Sequence, residues 1–118
     1  MAQYVDGFVI PIKSKNIKAY KKMAEWGKKV WMKHGALHYY ECVAEEFSKH
    51  GLGFKKMCKL KAGETAVFAF VIYKSKSHRN QVNKKVMNEM AKMGEPPAMP
   101  FDMKRFAMAG CNVIVRSR

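Results

Sequence analysis

Asp6 poses the clearest chemical problem in the chain. It lies inside the apolar run from Tyr4 to Ile12, where a carboxylate must find a donor or accept a raised pKa. Arg105 and Lys104 are its candidate partners. Asp6 is then either one half of a structural ion pair or a base or anchor in a small pocket. A second concentration of polar and aromatic groups is His34, His38, Tyr39, Tyr40 and Glu41. On an extended strand His38 and Tyr40 share one face, and Tyr39 and Glu41 share the other. Histidine with glutamate suits general acid–base work. His34 equally suits a helix C-terminus, where it meets the negative end of the dipole. Asp6, His38, Tyr40, Glu41 and Arg105 form the candidate pocket set.

Other chemistries find less support. Cys42, Cys58 and Cys111 lack paired metal-like spacing, and His34 and His38 straddle Gly35. No metal site is therefore expected, and no cofactor is implied. Neither a nucleophile elbow nor a glycine-rich phosphate loop is present. An odd, sparse set of cysteines argues against a disulfide framework and for a reducing, cytoplasmic setting.

The charge is extreme: 118 residues carry 23 Lys+Arg against 9 Asp+Glu, a net +14. Such an excess invites a nucleic-acid reading. Yet the arginines are only Arg79, Arg105, Arg116 and Arg118, and planar two-pronged recognition of phosphates and bases leans on arginine. The lysines are spread along the chain. The candidate basic surface is Lys55, Lys56, Lys59 and Lys61 with Arg116 and Arg118, and nucleic-acid binding through it is the second functional reading. No apolar run approaches the roughly 20 residues of a membrane span, so no membrane partner is expected.

The elements that must position these residues follow from periodicity. Tyr4 to Ile12 reads as a first strand. Ser14-Lys15-Asn16 then caps a helix whose apolar stripe is Ile17, Tyr20, Ala24, Gly27, Trp31 and His34, ended by Gly35. Ala36 to Val43 reads as a second strand, and Phe54 to Leu60 as an extended edge segment. Ala66 to Tyr73, apolar on both faces, reads as a central strand. Ser75 or Ser77 caps a second helix carrying Val82, Val86, Met90 and Met93, stopped by Gly94 and Pro96-Pro97. The ten methionines fit a soft helix face and core, with a methionine-rich groove as the sharper alternative. Phe106 to Arg116 is the last strand.

One domain over 1–118 results, of class α+β: a ferredoxin-like βαββαβ antiparallel sheet with two helices on one face. Its other face is apolar and must be covered, because large exposed apolar patches are rare on monomers. A homodimer with sheet facing sheet, pairing as a dimeric α/β barrel, is the expected assembly. A pocket between sheet and helices, either binding an unidentified small molecule or carrying cofactor-independent catalysis, is the leading functional reading.

Several blocks also carry a family resemblance. They are Tyr4-Val5-Asp6-Gly7-Phe8-Val9, Val30-Trp31-Met32, His34-Gly35-Ala36-Leu37 and Glu41-Cys42-Val43. Further blocks are Val67-Phe68, Tyr73-Lys74-Ser75, His78-Arg79, Val82-Asn83, Val86-Met87, and Met99-Pro100-Phe101-Asp102 with Lys104-Arg105. Together they resemble the YbaA-like family of uncharacterised small bacterial proteins. The resemblance implies a dimeric α/β barrel and no established activity. Its wider superfamily includes cofactor-independent monooxygenases and small-molecule-binding proteins. The chain departs from the family pattern at Ala109-Gly110-Cys111 and in its basic stretch before Lys61.

Overall fold

The computed structural model describes residues 2–94 and 99–117. Strands β1 (Tyr4–Lys13), β2 (His38–Val43), β3 (Glu64–Tyr73) and β4 (Ala107–Asn112) form one antiparallel sheet in the order β2-β3-β1-β4. Helices α1 (Ile17–Lys33) and α3 (Lys76–Lys92) are long, and α2 (Gly53–Met57) is a short helix between β2 and β3. The ferredoxin-like α+β reading holds. Among the described residues no helix is long and apolar enough to cross a membrane.

Register and pleat assign the faces. Asp6 pairs with Val71 and Gly110, and Phe8 with Ala69 and Met108, so these side chains share one face. On that face Ile10, Ile12, Val67 and Ala69 bury against Tyr20 and Ala24 of α1. Val71 and Tyr73 bury with Val30 of α1 and with Val82 and Val86 of α3. Each fully buried valine contributes about 1.5–3 kcal/mol through apolar area removed from water. The opposite face carries Val5, Val9, His38, Tyr40, Phe68 and Phe70 by the same alternation.

Helix ends follow local chemistry. Gly35, at φ 110°, closes α1. Its N–H donates to the Met32 carbonyl and that of Ala36 to the Trp31 carbonyl, the paired bonds of a glycine-terminated helix. Ser75, rather than Ser77, caps α3 by accepting from the His78 N–H at 3.1 Å.

Three expectations change. Ser14–Asn16 form a 3₁₀ turn with no side-chain cap, because Asn16 Nδ2 instead donates to the Pro100 carbonyl at 3.1 Å. The segment read as extended from Phe54 is helical, its carbonyls satisfied locally by Cys58 N–H on Phe54 and Leu60 N–H on Lys55. Finally, β4 stops at Asn112, opposite Tyr4, the first residue of β1. One more bond, Val113 N–H to the Gln3 carbonyl, exhausts the partner strand. Ile114 and Val115 then stand 91% and 86% exposed. The Pro96-Pro97 stop lies outside the described residues.

Candidate functional site

The two long helices meet through the last turns of α1. Lys33 Nζ and His34 Nε2 both reach Glu89, at 2.9 and 2.8 Å, and Trp31 Nε1 donates to Asn83 Oδ1 at 3.2 Å. Away from this junction the helices part over the sheet and bound a cavity of about 820 Å³. Its floor includes Asp6, Phe8, Ile10, Ala69 and Val71. Its walls carry Met23, Met87, Met90, Met93, Met99 and Met108 with Trp26, Trp31, Phe101 and Phe106. A smaller cavity of about 400 Å³ lies beside it between α1 and β2, and Tyr20, Ala24, Tyr39, Tyr40 and Glu41 border both.

The floor holds the first polar network. Asp6 is 2% exposed. Its Oδ1 accepts from Arg79 Nη1 at 2.7 Å and its Oδ2 from Asn83 Nδ2 at 3.4 Å. The Arg79 guanidinium also lies 4.8 Å from the centre of the Tyr4 ring, a cation–π contact. Asn83 Oδ1 accepts from the Tyr73 hydroxyl at 3.2 Å as well as from Trp31. Burial, and then the Asp6 charge, push the Tyr73 phenol above its ordinary value of 10.0. No acceptor or donor is left over: every buried side-chain N or O atom among the described residues has a partner.

The second network separates the two cavities. Glu41 Oε1 accepts from the Tyr20 hydroxyl at 2.6 Å, and Oε2 accepts from the Tyr39 hydroxyl at 2.7 Å. Burial first, and the adjacent carboxylate second, raise both phenols well above 10.0. Gly27 of α1 makes this geometry fit, since a Cβ there would lie 3.0 Å from the Tyr39 hydroxyl.

The candidate pocket set is thus divided. Asp6 on β1 and Glu41 on β2 face the cavity from the same side of the sheet, with β3 between them. His38 and the ring of Tyr40 belong to the opposite sheet face, in a row of rings running His38, Tyr40, Phe70, Phe68 and Phe54 with centroids 5.1–6.4 Å apart, although Tyr40 also borders both cavities. Arg105 is not the partner of Asp6. It binds Glu64 through two bonds of 2.8 and 2.6 Å and Asp102 at 2.9 Å, and donates to the Lys59 carbonyl. That clamp fastens the strap before β4 to the start of β3. It also holds the Glu64 carboxyl down at about 2, the Arg105 bonds first and the Lys61 N–H second.

Lys55, Lys56, Lys59, Lys61 and Arg116 are all exposed, and Arg118 lies outside the described residues. Among the described residues no three His, Cys, Asp or Glu side chains gather as metal ligands would. Sequence reasoning missed Arg79, Asn83 and Tyr20 as site residues. Arg79 and Asn83 stand in blocks that carried the family resemblance, which was the available signal. Tyr20 had none, being read simply as core.

Relatives sharpen the assignment. The family described as Protein of unknown function (DUF1428) matches residues 3–103. Uncharacterized protein YbaA of Escherichia coli K12 is 34% identical over 116 residues, covering 96% of this chain and 97% of that protein. The YbaA of Shigella flexneri matches equally. Among solved structures, a dimeric ferredoxin-like protein from an uncultured marine organism superposes with a TM-score of 0.61 at 12% identity, covering 99% of this chain and 100% of that one. That likeness shares the fold, one antiparallel sheet with its two long helices on one side. By the extent of both sequence matches, the chain belongs to the DUF1428 family, together with the YbaA proteins.

Proposed function

We propose that this chain is a homodimeric, cytoplasmic small-molecule-binding protein, one domain over 1–118, holding an apolar ligand between the sheet and the long helices. The observation that carries the reading is the 820 Å³ cavity walled by methionine and aromatic side chains, with a few fixed polar groups at its edges. Ligand sites typically have about 300–1,000 Å³ and this balance of apolar lining to convergent polar groups. Methionine side chains adapt to a ligand's shape at little cost.

Dimer formation is supported by the other face. Tyr40 and Phe68 are 52% and 40% exposed there, in a continuous aromatic row that a lone sheet would leave wet. The marine ferredoxin-like protein is described as dimeric, and a second copy of the same face is the self-complementary occupant of a two-fold pair.

Calorimetric titration with phenylbutanol, a neutral apolar probe, tests the cavity. The wild type should bind one molecule per chain. Met87→Trp, which fills the rim from an exposed position, should weaken binding about tenfold or more. Absence of heat with the wild type contradicts the reading. Sedimentation tests the dimer: Phe68→Asp should give a monomer, and a wild type monomeric at micromolar concentration contradicts it.

A further inference from the structure

We infer that the cavity is built for a lipophilic cation, an apolar or aromatic molecule ending in an ammonium group that seats against Glu41. This rests on the cavity being a binding site, as proposed above. Asp6, Glu25, Glu64, Glu89 and Asp102 each hold a cationic side chain within 4.0 Å. Glu41 does not: among the described residues its two oxygens are held by the neutral hydroxyls of Tyr20 and Tyr39. In a chain with 23 Lys+Arg against 9 Asp+Glu, a half-buried carboxylate without a cation is the unusual case.

The surroundings favour a positive group. The rings of Tyr20 and Tyr39 flank the carboxylate, with Phe101 5.8 Å from Tyr20 and Trp31 6.2 Å from Tyr39. Aromatic faces carry negative charge density that attracts an ammonium. The nearby lysines do not occupy the place. Lys21 and Lys28 border the smaller cavity and Lys22 the larger, but Lys28 is engaged by Glu25 at 3.0 Å. Such flexible stems also keep their heads in water. An anionic ligand would meet Glu41 directly, and Arg79, whose charge is taken by Asp6 at 2.7 Å, offers it no relief.

Three probes with one skeleton separate the possibilities: phenylbutylammonium, phenylbutanol and phenylbutyrate, titrated by calorimetry at an ionic strength of about 0.15 M. The ammonium should bind about tenfold more tightly than the alcohol, as a desolvated cation–π contact with a carboxylate would supply. The carboxylate should bind weakest, against the direction set by the net charge. In Glu41→Gln, isosteric and able to keep a bond to each tyrosine, ammonium and alcohol should bind alike. Tyr39→Phe, which frees one Glu41 oxygen, should keep or enlarge the ammonium's advantage. Equal binding of ammonium and alcohol by the wild type overturns the charge preference alone. So does tighter binding of phenylbutyrate, an undiminished ammonium advantage in Glu41→Gln, or its loss in Tyr39→Phe. Failure of all three probes to bind overturns the binding site itself.

Discussion

Two carboxylates, buried Asp6 and half-buried Glu41, line the same cavity, yet they are held in different ways. Asp6 is matched by Arg79 and Asn83, so its charge is cancelled where it stands. Glu41 is matched by two phenols, so its oxygens are satisfied while its charge is not. The first arrangement joins β1 to α3 across a span of 73 residues and serves the fold. The second leaves an electrostatic demand at the cavity wall. Hydrogen-bond satisfaction and charge compensation are separate matters, and only their difference points to where a ligand belongs.

The contrast predicts unequal costs. Asp6→Ala strands the Arg79 guanidinium beside a desolvated floor and should cost about 3–5 kcal/mol in chemical denaturation. A cost below that of an ordinary surface substitution would show that Asp6 is not the structural member of the pair. Glu41→Gln should cost about 1 kcal/mol, the worth of weakened neutral hydrogen bonds.

Alkaline pH reaches the same contrast from the phenol side. Tyr20 and Tyr39 have folded pKa values raised above 10.0, so the unfolded chain gives up its protons first. The stabilisation is complete below pH 10 and is lost as pH rises beyond it. Glu41→Gln should flatten that decline in a denaturation series, because the carboxylate is part of what raises both phenols. An unchanged slope would mean that burial alone sets them.

The smallest effect is expected at Gly27→Ala. Alanine gains about 1 kcal/mol of helix propensity, and displacing the Tyr39 hydroxyl from Glu41 loses about 1 kcal/mol. Stability should hardly move while Tyr39 titrates at lower pH, read by ultraviolet difference absorbance. A raised melting temperature with unaltered tyrosine titration would place the Tyr39–Glu41 bond elsewhere.

The sequence was most informative where a residue's neighbours in the chain decide its structure. Strand alternation from Tyr4 to Ile12, the α1 stripe and the Ser75 cap are of this kind, and so is the division of β2 into a His38–Tyr40 face and a Tyr39–Glu41 face. The need of Asp6 for a donor was also legible. Its donor was not, because Arg79 reaches it only after α3 packs on the sheet. Short apolar segments were ambiguous for a different reason: Phe54–Leu60 fits an extended reading, and local carbonyl satisfaction tips it to a helical turn. The methionines read as core from spacing alone. The parting of α1 and α3 turns Met87 and Met93, both exposed, into the wall of a cavity.

Those methionines give the most direct test of the central claim, that the space between sheet and helices receives the ligand. With methyl-labelled methionine, nuclear magnetic resonance spectra recorded as phenylbutylammonium is added should show shifts at Met23, Met87, Met90, Met93, Met99 and Met108, which line the cavity. Met32, Met57 and Met103, exposed elsewhere, should stay in place. Shifts confined to Met32, Met57 or Met103, or no shift in any cavity methionine at saturating probe, would contradict it.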